Sequence, residues 1–267
     1  MQEKDWRALD MSIGQREGKE EKLVRYTFRP AEHGRIEIIH ITDLQIGSKT
    51  FLRGRFLEYR SWLLASPNRF VLLGGDVVDA ATILSVASPY DNTSEPIDQV
   101  DEATELLEPL RARILGYVGG NHERRTIKTF GDCGRTIAKN LGVPYSRGVQ
   151  LFNIYFGDHK PFKISLWHGG GSAQTRGAQA QTLHRFMNQG DSHLYFMGHL
   201  HKAMILPDYR QQRAGDRIKL QKLMGVMSSS FQGYWNSYAE VSAMTPFDVM
   251  MGRAILEPDG KWEVTIR

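Results

Sequence analysis

The chain is poor in cysteine: one, Cys133, in 267 residues. It therefore cannot close an internal disulfide, which excludes the disulfide-stapled scaffolds and fits a reducing compartment. It also lacks any run of about 18 apolar residues, which excludes a membrane-spanning helix. Met1 to Gly14 carries charges at Glu3, Lys4, Asp5, Arg7 and Asp10 and no apolar core segment, so no secretory signal is expected and a cytoplasmic setting is. Repeats and low-complexity tracts are missing too. A large excess of one charge is absent: 34 Lys and Arg against 30 Asp and Glu leave +4, which is compatible with a polyanionic partner without requiring one. A chain of this length buries roughly three quarters of its unfolded surface, enough to fold without a structural metal.

What is present is glycine (26) and histidine (nine), and a pattern of short apolar runs that end in turns. Residues 1–21 are polar and mixed in charge, an N-terminal arm; residues 22–267 read as one domain. Lys22 to Phe28 alternates as an edge strand. Arg35 to Thr42 is a β-branched strand that stops at Asp43. Leu52, Phe56, Tyr59 and Leu63 recur at helical spacing, and Phe70 to Leu73 is a buried strand running into Gly74-Gly75. The apolar series from Ile97 to Ile114 predicts a helix capped by Thr93 or Ser94 and kinked at Pro109. Leu115 to Val118 is a strand, and Thr136 to Leu141 a helix stopped by Gly142. Leu151 to Phe156 and Phe162 to Trp167 pair as a hairpin, residues 178–189 form a helix, and His193 to Met197 a strand. The remainder is β-rich. Strands alternating with helices and then dominating predict a layered α/β/α sandwich with mixed sheets.

Five segments share one design, in which an apolar strand runs out and a metal-capable side chain follows. They are Thr42-Asp43-Leu44-Gln45, Gly75-Asp76-Val77-Val78-Asp79, Gly120-Asn121-His122-Glu123, Trp167-His168-Gly169 and Gly198-His199-Leu200-His201. Ligand sites in open α/β sheets collect beyond the carboxyl ends of the strands, so distant segments can converge there. Carboxylate, amide and imidazole donors without thiolate suit Mn, Fe, Zn or Co. Of the other histidines, His40 shares a strand face with Ile36 and Ile38 and reads as a core histidine hydrogen-bonded to backbone. His33, His159, His184 and His193 read as structural or surface groups.

In order and spacing the five segments resemble the calcineurin-like metallophosphoesterase superfamily, whose pattern is D-x-H, G-D-x-x-D, G-N-H-[DE], H, G-H-x-H. The match runs from Asp43 to His201. The resemblance implies a four-layer αββα sandwich of two mixed sheets flanked by helices, and two divalent transition-metal ions, Mn2+ ahead of Zn2+, Fe2+ or Co2+. It places Asp43, Gln45, Asp76 and His201 around one ion and Asp76, Asn121, His168 and His199 around the other. A shared carboxylate suits ions about 3.5–4 Å apart. It further implies in-line attack on phosphorus by a metal-bridging hydroxide, with His122 protonating the leaving oxygen or stabilising the transition state, and Asp79 orienting His122. One position departs from the family: Gln45 stands where histidine is usual. A neutral amide oxygen either ligates weakly or hydrogen-bonds a metal-bound water.

The expected activity is hydrolysis of phosphoesters, with a phosphodiesterase or nuclease favoured over a phosphomonoesterase and an inactive scaffold of the same fold as the rival from another class. The arguments for a diester are the net positive charge, basic stretches at 53–60 and 210–222, and aromatics that could stack on nucleic acid. Arg124 and Arg125, beside His122, are candidates to steer a phosphate. The segment 228–246 offers Phe231, Tyr234 and Trp235 as an aromatic substrate wall, with a core-packing loop as the alternative. No membrane partner is expected, and oligomeric state is left open.

Overall fold

Strand Ile36–Ile41 is buried at every position, as befits a strand covered on both faces. In the computed structural model, which describes residues 12–13, 16–17, 20–82, 85 and 89–267, it lies third in a six-stranded sheet. The order is Trp262–Ile266, Gly252–Leu256, Ile36–Ile41, Arg69–Leu73, Ile114–Val118, Tyr145–Ser146. The last four run parallel, and the two C-terminal strands close the near edge antiparallel. A seven-stranded mixed sheet packs against it, ordered Ser12–Ile13, Leu23–Phe28, Gln150–Phe156, Phe162–Trp167, Leu194–Met197, Arg217–Met227, Met204–Ala214.

The period-two alternation of strands divides the core between the layers. Ile36, Ile38, Phe70 and Leu72 meet Val24, Tyr26, Phe152, Ile154 and Phe196 between the two sheets. Ile39, Ile41, Val71 and Leu73 turn the other way, onto Phe56, Leu63, Val100, Leu107 and Ile137 of helices Arg53–Leu64, Pro96–Leu107 and Cys133–Leu141. The outer face of the larger sheet packs Tyr195, Met197, Leu223 and Met227 on Leu183, Phe186 and Met187 of helix Arg176–Met187. The layers are helices, sheet, sheet, helix, the αββα sandwich expected.

Several elements differ in detail. The helix expected from Ile97 starts at Pro96, with Glu95 at its cap and no side-chain capping bond, so neither Thr93 nor Ser94 caps it. Proline suits that first position because its missing N–H would have no intrahelical partner. Pro109 does not kink an α-helix; the α-helix ends at Leu107 and a 3-10 stretch, Glu108–Arg113, follows. The long strand Met204–Ala214 pairs with Arg217–Met227; its polar, largely exposed sequence carries little strand signal. In the N-terminal arm, residues 1–11 lie outside the described residues, while Ser12–Ile13 pairs with Leu23–Phe28. No helix among the described residues is long and apolar enough to cross a membrane.

Candidate metal centre

Parallel neighbours bring their carboxyl ends to one side of the sandwich. From the smaller sheet come Asp43, Asp76 and Asn121, each after a strand; from the larger come His168 and His199. Within each set the loops are laced together through the backbone. Asp43 N–H donates to the Gly75 carbonyl (3.0 Å), Gln45 N–H to Asp76 (2.9 Å), Ile46 N–H to Val77 (2.9 Å), and Gly198 N–H to His168 (2.9 Å). The turns are tight enough that glycine is required between them. A Cβ at Gly75, whose φ is +90°, would stand 2.7 Å from the Gly120 nitrogen and 2.8 Å from His168 Nδ1. The ligand backbone is itself left-handed: φ is 54° at Asp43, 49° at Gln45, 49° at Asp76, 69° at His199 and 51° at His201.

Asp76 is the centre of the arrangement and is buried. Its Oδ1 accepts from the His122 amide (2.8 Å), and its Oδ2 faces His168 Nε2 at 3.2 Å and His122 Nε2 at 3.6 Å. His168 Nδ1–H donates to the Gly74 carbonyl (2.7 Å), which turns Nε2 toward Asp76 and toward Asn121 Oδ1 at 3.0 Å. A carbonyl on one ring nitrogen is the usual way a protein orients a metal-binding imidazole. Burial opposes protonation of His168, but the charge and hydrogen bond of Asp76 prevail and raise its pKa to about 9. His122 and His168 together hold the Asp76 carboxyl far below its ordinary range, against burial. Ligand atoms of Asp76, His168 and His199 lie within 4.8 Å of one another. His199 donates from Nε2 to the Gly171 carbonyl (2.8 Å), and burial lowers its pKa. These donors fit a divalent cation that displaces the proton of His168.

The other expected ligand set is brought together in part. Asp43 is fully buried; its Oδ1 accepts from His201 Nε2 (3.0 Å) and its Oδ2 from Thr42 Oγ1 (2.6 Å) and the His199 amide (2.9 Å). Burial alone would raise the Asp43 carboxyl's pKa, but the charge and hydrogen bond of His201 lower it. Gln45 contributes its amide N–H to the loop ladder, and its side chain is partly exposed.

His122 is buried, with Nδ1 2.8 Å from the Asp79 carbonyl and 3.0 Å from Asp79 Oδ1. Burial works against its charged form, yet Asp76 and the Asp79 hydrogen bond raise its pKa. Arg125 donates to His122 Nε2 (2.8 Å) and to the Asp79 carbonyl (3.3 Å). Its guanidinium is thus engaged by the protein, whereas Arg124 is exposed. Phe231 corrects the expected aromatic wall: it is fully buried and packs edge-on against Phe56 at 5.6 Å, because the chain plunges into the helical core there. Tyr234 is half-buried and Trp235 is exposed. His40 pairs through Nδ1 with Ser228 Oγ (2.8 Å) rather than with backbone, and burial lowers its pKa to about 3.

Two residues at the centre had no assigned part in the sequence reading. Glu123, fully buried, accepts from the amides of Gly120 (2.8 Å), Asp76 (3.0 Å) and Val77 (2.7 Å) and from the Tyr117 hydroxyl (2.7 Å). It fills the last place of the G-N-H-[DE] segment, and its position three residues after Gly120 is that of a side chain reaching back to a helix N-terminus. Phe247 lies 5.6 Å from the His201 ring, one residue past the aromatic segment, with no signal at all.

No family model matches the chain. The DNA polymerase II small subunit of Methanothermobacter thermautotrophicus is 24% identical over 129 residues, 44% of this chain and 25% of that protein. The match thus spans about a quarter of that relative's length. Among solved structures, the NAD nucleotidase of Haemophilus influenzae gives a TM-score of 0.42 at 10% identity, covering 86% of this chain and 49% of its own. A protein serine/threonine phosphatase from Saccharomyces cerevisiae gives 0.39 at 13% identity, covering 90% and 82%. Asp43, Asp76, Asn121, His168 and His199 each stand at a strand end of an αββα sandwich, the arrangement implied by the resemblance of the motif series to the calcineurin-like metallophosphoesterases.

Proposed function

We propose that this chain hydrolyses phosphoesters, diesters ahead of monoesters, at a centre holding two divalent transition-metal ions, Mn2+ first among them. The observation that carries the reading is Asp76. This one buried carboxylate faces the His168, Asn121 and His199 group while standing close enough to the Asp43–His201 pair to act on its charge. Asp43, Gln45, Asp76 and His201 would hold one ion, and Asp76, Asn121, His168 and His199 the other. When bound, the ions supply neutralisation of the phosphoryl charge and an activated water.

The protein's own groups do the rest. His122, held through Nδ1 by Asp79, is placed to hand a proton to the leaving oxygen. Arg125 donates to its Nε2 in this structure and would have to leave that nitrogen before it carries the proton, while exposed Arg124 would draw in the phosphate. Support for a diester comes from the net charge of +4 and from a relative named as a DNA polymerase subunit.

The test is a pair of chromogenic reporters, a phosphodiester and its monoester counterpart, assayed with Mn2+ alongside metal analysis of the purified protein. Faster turnover of the diester and bound transition metal are expected. A reversed ratio would make the protein a phosphomonoesterase. Absence of Mn, Zn, Fe and Co, with no turnover on adding them, would refute the enzyme reading.

A further inference from the structure

A line of aromatic rings leads from the metal centre to the surface. The His201 imidazole lies 5.6 Å from Phe247, Phe247 lies 6.1 Å from Tyr234, and Tyr234 lies 5.2 Å from Trp235, all edge-to-face. Trp235 is 71% exposed, unusual for the residue with the most apolar area to bury.

The loop that carries these rings is fastened to the centre from behind. Lys202, next to His201, donates its ammonium to the carbonyls of Thr245 and Pro246 and sits 5.0 Å from the Phe247 ring. The Tyr234 hydroxyl donates to the Met244 carbonyl (2.9 Å), and Ser229 Oγ to that of Asp248 (2.6 Å). None of these contacts involves the indole of Trp235. A pre-positioned aromatic surface of this kind lowers the ordering cost of binding a flat ligand.

What fits it is set by chemistry. No cation pairs with Tyr234 or Trp235 among the described residues, so the surface suits a neutral planar group rather than phosphate. Base–aromatic stacking serves any base, because each has a π-face. In a duplex those faces are already stacked; in a single strand they are free.

We propose that the Phe247–Tyr234–Trp235 line is a base-stacking subsite, and that the substrate class is a single-stranded oligonucleotide or polynucleotide. The position of its scissile phosphate at the metals rests on the phosphoesterase reading above. The phosphate lies at the centre, the adjoining nucleoside against Phe247 and a more distant base on Trp235. Three ring steps separate Trp235 from His201, so Trp235 is assigned to a base beyond the nucleoside next to the scissile phosphate.

The experiment measures binding of the full chain, with Mn2+, to fluorescein-labelled phosphorothioate octathymidylate and to an abasic octamer of the same backbone. Wild type should bind the base-bearing octamer more tightly. Trp235→Ala should weaken that binding about 5- to 150-fold, the range for loss of one base–aromatic stack, and leave the abasic octamer unchanged. Trp235→Phe should retain most of the affinity, which separates stacking from a folding defect. Equal binding of the two octamers by wild type, or unchanged affinity in Trp235→Ala, would overturn the subsite. A duplex bound as tightly as the single strand would overturn the substrate class. Base-dependent binding without hydrolysis of any phosphodiester would instead remove the phosphoesterase reading and leave the subsite standing.

Discussion

Glu123→Gln changes one atom type at the point where the Asp76 turn is held. The two carboxylate oxygens each accept two donors: Gly120 and Asp76 amides on Oε2, the Val77 amide and Tyr117 hydroxyl on Oε1. A glutamine can offer oxygen to one pair only. With its NH2 toward the second pair, the Tyr117 hydroxyl can turn and accept, so one N–H, that of Val77, is left facing a donor. A buried group stranded in this way costs about 1–3 kcal/mol, and the surviving bonds lose the strength that a charged acceptor gives them. Removing a negative charge beside Asp76 offsets part of this, since burial and that neighbour raise the pKa of Glu123. The net expectation is a loss of roughly 2–3 kcal/mol, read as a lower urea midpoint at unchanged m-value. Mn2+ affinity should fall with it, because the Asp76 amide is one of the four donors. Glu123→Ala should lose more, on the order of 4–5 kcal/mol, with four donors stranded and a cavity opened. A glutamine variant within about 0.5 kcal/mol of wild type, with unchanged Mn2+ titration, would refute the view that Glu123 positions the ligand turn.

Asn121→Ala and His201→Ala should each abolish Mn2+-dependent phosphoester hydrolysis while far-UV circular dichroism stays unchanged; undiminished turnover would refute their assignment. Gln45→His should tighten metal binding if that side chain faces the first ion, and an unchanged titration places it elsewhere. For the metal-free protein, the raised pKa of His168, about 9, means its pairing with Asp76 stabilises fully below about pH 6.5 and is lost as pH rises through about 9. Metal affinity runs the other way, gaining about tenfold per pH unit toward that value as the competing proton is lost. Thermal melts in EDTA and Mn2+ titrations between pH 6.5 and 8.5 check both signs, and flat profiles would refute the coupling. Phe231→Ala should cost about 3–5 kcal/mol in stability with KM unchanged; a raised KM at intact stability would restore it to the substrate side.

The strand ends that carry the proposed ligands were legible because hydrophobic pattern and turn residues mark the places where apolar strands stop. Asp43 after Ile36–Ile41 and His199 after Leu194–Met197 are cases in point. That Asp43 meets His201, 158 residues away, follows only once the two sheets stack. Side-chain destinations in irregular segments were not legible. Phe231 and Trp235 are four residues apart in an aperiodic stretch, and one is fully buried while the other is 71% exposed. Arg125 was a candidate to steer a phosphate, but a short helix, Asn121–Arg125, folds it back onto His122. The strand Met204–Ala214 was hidden because it is largely exposed, so it needs no apolar alternation.

The left-handed backbone at Asp43, Gln45, Asp76, His199 and His201 bears on how such a protein ages in evolution. Aspartate and histidine tolerate that conformation better than most residues, and glutamine has no such advantage. Glycine would adopt it freely at any of the five, relieving about 1 kcal/mol of local strain each time. Each of those relaxing substitutions would also remove one of the proposed metal donors. At Gln45, partly exposed and tied to the loop through its backbone N–H, that relief costs little, whereas at Asp43 and Asp76 it would strand the buried donors that they accept from, so drift from enzyme toward inert scaffold starts most easily at Gln45.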